Sequence, residues 1–245
     1  MNPPVRDSFG AGVHGALRGI GMLKRPGLRR YVVLPLLVNL ILFAGGFTLL
    51  GRVIDHLISS LPSYLQWLEF LIWPLFILAG AAVVFFLFTI IATMIAAPFN
   101  GLLAEAVQRQ LRGELIQTPF TLKTVLAEVG RSMGSELRKF RYMAVRAIPC
   151  LLLFLIPGLN LLAPWIWLAF GAWMLSLEYL EIPLGNNGYV FPHVLAALRQ
   201  RRRMALGFGA VVMGMTMIPV LNFIAMPAAV CGATALCVEH ALLEQ

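Results

Sequence analysis

The chain has 245 residues, of which 60% are hydrophobic and only 12% charged, a balance too apolar for a water-soluble domain of this size. It is read as an integral membrane protein. The net charge of +8 invites a nucleic-acid partner, but the basic residues gather in segments flanking apolar spans, so membrane orientation and anionic lipid account for it better and no nucleic acid is expected.

Residues 1–30 form a basic N-terminal segment that holds Arg6, Arg18, Lys24, Arg25, Arg29 and Arg30 without the apolar core of a signal peptide, so the mature protein is expected to begin at Met1. Within it, residues 9–23 read as a weak amphipathic helix interrupted by glycines. The segment ends on Arg25-Pro26-Gly27-Leu28-Arg29-Arg30. Pro26 suits the first turn of a helix, whose open amides would follow it. Together with a small Gly27 and the forked donors of Arg29 and Arg30, those amides suit a tetrahedral oxyanion. The same residues also suit a basic anchor at the membrane surface.

Four stretches carry no Asp, Glu, Lys or Arg: residues 31–51, 70–104, 147–177 and 204–238. The first predicts a membrane helix over 31–54, since 21 helical residues span ~30 Å, the thickness of a hydrocarbon core. The second, with Pro74 near its start and Pro98, Asn100 and Gly101 near its end, predicts a longer, tilted helix over 70–115. There Glu105, Arg109 and Arg112 fall four and three apart on one helical face. Such a stripe is either a solvated ion-pair face or, turned toward the bundle axis, the lining of an anion path.

Residues 121–146 predict an amphipathic interfacial helix. Leu122, Val125, Leu126, Val129, Met133, Leu137 and Phe140 lie on one face, with Lys123, Glu128, Arg131, Arg138, Lys139 and Arg141 mostly on others. The third and fourth stretches then share a phrase, Ile156-Pro157-Gly158-Leu159-Asn160 and Ile218-Pro219-Val220-Leu221-Asn222. Proline breaks a helix, and broken backbone is tolerated in a bilayer only where protein or water covers it. Two topologies are open: an overlong or kinked crossing, or a hairpin that enters and leaves on one side. The Lys and Arg count favours hairpins over 147–177 and 204–238, because the basic segments at 1–30, 105–146 and 178–203 then share a face, while a kinked helix or a tight loop between two short spans stays open. Half of each stretch, ~15 residues, is too short to cross, so partial penetration follows, with Pro157, Asn160, Pro219 and Asn222 building the tips.

Cys150, Cys231 and Cys237 read as packing residues. His14, His56, His193 and His240 are scattered, and no catalytic motif, metal-ligand spacing or cofactor loop appears, so neither catalytic residue, metal nor cofactor is expected. The fold class is therefore an all-α integral membrane protein with two long transmembrane helices, two partly penetrating re-entrant hairpins and amphipathic interfacial helices. Residues 1–245 form one membrane domain.

Four runs carry a resemblance: Pro26-Gly27-Leu28-Arg29-Arg30, Leu34-Pro35-Leu36-Leu37-Val38-Asn39, Ala96-Ala97-Pro98-Phe99-Asn100-Gly101-Leu102-Leu103-Ala104-Glu105, and Met226-Pro227-Ala228-Ala229-Val230-Cys231-Gly232-Ala233-Thr234. They resemble the bacterial CysZ sulfate permeases over essentially the whole chain. The resemblance implies sulfate uptake across the bacterial inner membrane for sulfate assimilation and cysteine synthesis. It implies Gly27, Leu28, Arg29 and Arg30 as the sulfate-binding stretch, and places Glu105, Arg109 and Arg112 in the family's polar interior. The expected partners are sulfate, sulfite as a competing or regulatory anion, membrane lipid, and further copies in a homo-oligomer. After the first hairpin the chain departs from the family's Asp-Tyr-Pro-x-Asp-Asn-His. It reads Glu181-Ile182-Pro183-Leu184-Gly185-Asn186-Asn187, so no acidic role transfers to Gly185. The rival readings are a membrane scaffold or lipid-binding protein without transport activity, and an enzyme acting on anionic lipid. Flux of sulfate into protein-containing liposomes separates the first of these from a transporter.

Overall fold

The computed structural model describes residues 7–59, 74, 77, 78, 80, 82, 99–113, 138–240 and 242. Among them every regular element is helical: α1 (Phe9–Met22), α2 (Arg29–Ser59), α3 (residues 99–112), α4 (residues 138–152), α5 (Ala163–Asn186), α6 (Phe191–Gln200), α7 (Arg202–Met217) and α8 (Pro219–Glu239). Most of the expected helix over 70–115, and residues 121–137 of the expected amphipathic helix, lie outside the described residues.

The chain divides into two compact units, residues 32–99 and residues 1–31 with 100–245. The first contains most of α2, which at 31 residues is ~46 Å long and exposes Leu40, Ile41, Phe47 and Leu49. It starts two residues earlier and ends five later than 31–54. The reason is that Arg29, Arg52 and Asp55 sit at its ends, where charge does not oppose helix formation.

In the second unit α7 and α8 form a hairpin, and α1 and α5 pack against both of its limbs. The glycines of α1 decide its seat. Gly12, Gly15 and Gly19 share a buried face with Ala16 and Met22. A methyl group at Gly12 would strike the Met204 carbonyl, and one at Gly19 would stand 2.7 Å from the Gly232 nitrogen. Close approach of helix backbones through small residues is the usual device of membrane helices. The glycines that weaken α1 as an isolated helix are thus the surface by which it packs. Ser8 caps α1 by accepting the Ala11 amide at 3.1 Å. One residue before it, the Asp7 carboxylate accepts the Met204 amide at 2.9 Å and the Arg203 amide at 3.4 Å, capping α7, which has no side-chain cap of its own.

α4 and α5 form the other hairpin. Lys139 pairs with Glu178 at 2.9 Å, and the Trp173 indole donates to the Tyr142 hydroxyl at 3.0 Å. These antiparallel pairings are centred on Pro157 and Gly158, where the chain turns. In both hairpins the repeated phrase makes the same structure. Ile156 and Ile218 are extended, at φ −93° ψ 114° and φ −97° ψ 113°, as the residue before proline prefers. The amides of Asn160 and Asn222 then donate to the carbonyls of those isoleucines at 3.0 and 2.9 Å. The two tips diverge one residue after the proline. Gly158 takes φ 87° and opens a turn with short 3-10 segments at Leu153–Leu155 and Leu159–Leu161, whereas Val220 continues directly into α8. The side chains of Asn160 and Asn222 are exposed, so the phrase closes the turns through backbone bonds.

Three expectations need revision. The limbs are longer than half an uncharged stretch: α5 has 24 residues and α8 has 21, ~36 and ~32 Å. α8 is the one helix among the described residues long and apolar enough to cross a membrane by length and composition. The first hairpin overruns 147–177 because Lys139 is buried and neutralised by Glu178 and Glu181, each at 2.9 Å, so charge does not end either limb. That pairing also reverses the expected face of α4. Lys139 points inward and Phe140 outward. Pro164 and Pro219 occupy first-turn positions, and Pro227 lies within α8 without ending it.

Exposure is graded along the hairpins. Toward the tips Leu155, Leu161, Trp165, Val220 and Phe223 are exposed, while the run from Ala228 to Cys237 and the α5 residues Ser176, Leu177, Leu180 and Leu184 are buried. Apolar tips and packed bases suit a body whose tips stand in lipid. Cys231 and Cys237 are buried and Cys150 half-buried, all as free thiols.

Candidate functional site

α1 delivers the chain to the start of α2. Met22, fully buried, ends the helix against the bundle, and the next five residues turn tightly: the Arg25 amide bonds the Met22 carbonyl at 3.0 Å and the Leu28 amide bonds the Arg25 carbonyl at 3.4 Å. Gly27 sits at φ 87°, a conformation that a side chain would strain. Leu28 is the anchor, fully buried, with its carbonyl accepting the Tyr31 amide at 3.1 Å. Burying Leu28 and Tyr31 leaves Gly27, Arg29 and Arg30 facing out.

The electrostatics of this turn are one-sided. Among the described residues, the amides of Gly27, Arg29 and Arg30 have no acceptor, and no acidic residue lies in the first turn of α2. Arg29 donates one bond to the Lys24 carbonyl at 3.1 Å. Arg30 donates to the Tyr31 hydroxyl at 3.0 Å, with its guanidinium 4.8 Å from the Tyr31 ring centroid. Each guanidinium is oriented by one bond while most of its five donors stay available. Neither has a carboxylate partner among the described residues. The arrangement offers backbone donors, two oriented cations and a helix N-terminus to an oxyanion.

The stripe on α3 is half-buried. Glu105 and Arg109 form an ion pair one turn apart, and Arg112 is exposed. The opposite side of α3, with Leu103, Ala104, Ala106 and Val107, is buried. Two asparagines tie α3 to the end of α5. Asn186 donates to the Gly101 carbonyl at 2.7 Å, and Asn187 exchanges bonds with Gln108 at 2.9 and 3.1 Å. Asn100 donates to the Met226 sulfur of α8 at 3.3 Å. Asn186 and Asn187 are therefore the clamp that holds α3 against the end of α5. Its signal in the sequence was the pair of amides directly after Pro183 and Gly185. Lys139, with its two glutamates, was also missed, because its partners lie about 40 residues away.

No group of three or more His, Cys, Asp or Glu that could hold a metal occurs among the described residues. His240, just beyond α8, is buried and its carbonyl accepts from Arg201 at 2.7 Å. Burial first, and the Arg201 charge second, hold its imidazole below the ordinary value of 6.5.

Comparison with known proteins follows the same residues. Residues 15–227 match the family model described as Sulfate transporter CysZ/Etoposide-induced protein 2.4. A "Sulfate transporter CysZ" of Pseudomonas aeruginosa is 42% identical over 220 residues, covering 88% of this chain and 89% of the relative. One of Pectobacterium atrosepticum is 42% identical over 239 residues, covering 96% and 86%. One of Pseudomonas fluorescens is 42% identical over 220 residues, covering 88% of each. A match of this extent and identity places the chain in the Sulfate transporter CysZ/Etoposide-induced protein 2.4 family.

Proposed function

We propose that this protein carries sulfate across the bacterial inner membrane, as a multi-pass protein that supplies sulfate assimilation and cysteine synthesis. One observation carries the reading: at the start of α2 lie three amides without acceptors and two guanidiniums without carboxylates among the described residues, in a chain whose relatives are named sulfate transporters. Sulfate is a tetrahedral dianion with only acceptors to offer. Gly27 lets the backbone approach it, Leu28 pins the turn, and Arg29 and Arg30 neutralise the charge.

From there the anion passes toward the α3 stripe, where Arg112 offers an exposed cation and Glu105 holds Arg109 in place and tempers its charge. Although α5 and α8 are long enough to cross, the half of each limb away from its tip is buried in the bundle, which supports hairpins that penetrate part of the membrane from one side with their exposed tips in lipid. Sulfite, of similar shape and charge, competes at the same turn. Copies of the chain assemble into a homo-oligomer. No bond of the substrate is made or broken. Bringing two negative charges in against ~100 mV, inside negative, costs ~4.6 kcal/mol, so uptake follows a concentration gradient, consumption of the product inside, or coupled protons.

The test is sulfate binding by the purified chain. Charge-assisted hydrogen bonds contribute ~1.5–3 kcal/mol each, so Arg29→Gln with Arg30→Gln lowers affinity at least tenfold. Unchanged affinity would move the site elsewhere.

A further inference from the structure

A second group of cations lies away from that turn. Helices α4 and α6 border a cleft of about 400 Å³ lined by Arg138, Arg141 and Arg146, with Tyr142, Phe191 and Leu195 among the remaining wall. None of the three arginines has a carboxylate partner among the described residues. The cleft is held in shape from several directions. The Tyr142 hydroxyl accepts from the Trp173 indole at 3.0 Å, Phe191 meets its ring edge-on at 5.7 Å, and the Arg146 guanidinium lies 3.8 Å from its centroid.

The sulfate reading leaves these residues without a role, and their chemistry is mixed in a specific way. A site for a free oxyanion would be polar on all sides, whereas this wall is half apolar. More telling is what continues from it. Beginning at Arg141, positions 145, 148, 152 and 155 follow at steps of four, three, four and three, which keeps them on one face of the α4 limb. Val145, Ile148, Leu152 and Leu155 are all exposed. From Val145 to Leu155 the rise is ~15 Å, half of a ~30 Å hydrocarbon core. A cationic cleft at the base and an apolar stripe one leaflet long have the two-part form of a phospholipid.

We propose that the cleft between α4 and α6 binds the phosphate headgroup of an anionic phospholipid, whose acyl chains lie along Val145, Ile148, Leu152 and Leu155. The inference rests on the hairpins standing in the membrane and is independent of where sulfate binds. Guanidiniums recognise the phosphate by forked hydrogen bonds, and a net negative headgroup answers three cations that lack a carboxylate among the described residues where a zwitterionic one does not.

Native mass spectrometry of the full chain in detergent tests this, using phosphatidylglycerol, phosphatidylcholine with the same acyl chains, and glycerophosphoglycerol, which has the headgroup but no chains. Phosphatidylglycerol is expected to be retained at least tenfold better than phosphatidylcholine. Arg138→Gln, Arg141→Gln and Arg146→Gln together bring it down to the phosphatidylcholine level. Ile148→Ser with Leu152→Ser, at exposed positions that leave the cations intact, also weakens retention, and this variant answers the question if the arginine variant does not fold. Equal retention of both lipids, or of phosphatidylglycerol by the variants, would overturn the proposal. If glycerophosphoglycerol binds as tightly as the intact lipid, the cleft takes a soluble anion and the proposal fails. If a Val145→Cys variant cross-links to a second copy in phosphatidylglycerol membranes, another protomer covers the stripe and the proposal fails. Sulfate flux is measured separately in phosphatidylcholine liposomes, so loss of the lipid site and loss of the transport reading are distinguishable.

Discussion

Alanine substitutions along α1 test whether its glycines are a packing surface and not merely helix-weakening residues. Gly12 and Gly19 face backbone of α7 and α8, whereas added methyl groups at Gly10 and Gly21 would meet nothing within 4 Å. At Gly19 the methyl would stand 2.7 Å from the Gly232 nitrogen, against ordinary contacts of 3.4 Å or more, and closer still to the Ala228 carbonyl, so the helices must part by ~0.7 Å or more. Overpacking of this kind costs ~1–3 kcal/mol. An alanine that meets nothing gains up to ~1 kcal/mol in helix propensity. At ~2–4 °C per kcal/mol for a chain of this size, Gly12→Ala and Gly19→Ala should unfold at least ~2 °C below Gly10→Ala and Gly21→Ala. The assay is the thermal midpoint of the purified full chain by tryptophan fluorescence in one detergent. Because α1 positions Met22 and the turn beyond it, Gly19→Ala should also weaken sulfate binding while Gly21→Ala leaves it unchanged. Equal midpoints for the two pairs would refute the packing argument.

Replacing Lys139 by methionine leaves Glu181 buried without its lysine, and loss of one partner from a buried pair costs ~3–5 kcal/mol. The double variant Lys139→Met with Glu181→Met should recover much of that in the same thermal assay. A lone Lys139→Met as stable as the parent would show that the pairing contributes nothing. His240 gives a pH dependence whose sign follows from its lowered folded value. The unfolded chain then binds the extra proton first, so the stability is fully present above about 6.5 and is lost as pH falls below it toward the folded value. His240→Gln, which keeps the carbonyl that Arg201 uses, should flatten this acid-side loss. An unchanged slope would assign the loss to another group.

What was legible in the sequence was local. Pro26, Gly27 and the paired arginines announce a helix start with open amides, but the helix begins at Arg29, so Pro26 stands in the turn before it and not in its first turn. The Ile-Pro-x-Leu-Asn repeat announces two like turns, and extended isoleucines with matching amide bonds are what it builds. The remainder depended on partners distant in sequence. Gly12, Gly15 and Gly19 argue against a helix until α7 and α8 are set beside them. Lys139 reads as a solvated charge until Glu178 and Glu181 are placed against it, and its burial lets α4 run past the boundary drawn by charge. Nothing local to Asn186 and Asn187 names their partners, yet their bonds to Gly101 and Gln108 hold α3 to the end of α5. Hydrophobic periodicity identifies which face is apolar, but it does not say whether that face meets protein or lipid, and so Phe140 points outward.

The most direct test of the central claim is radiolabelled sulfate uptake into liposomes containing only this protein, with imposed voltage and proton gradients. Protein-dependent uptake should follow the sulfate gradient, slow under an inside-negative potential unless protons are coupled, and fall at least tenfold in the Arg29→Gln, Arg30→Gln variant. Absence of sulfate flux in a folded, correctly inserted preparation would contradict the account.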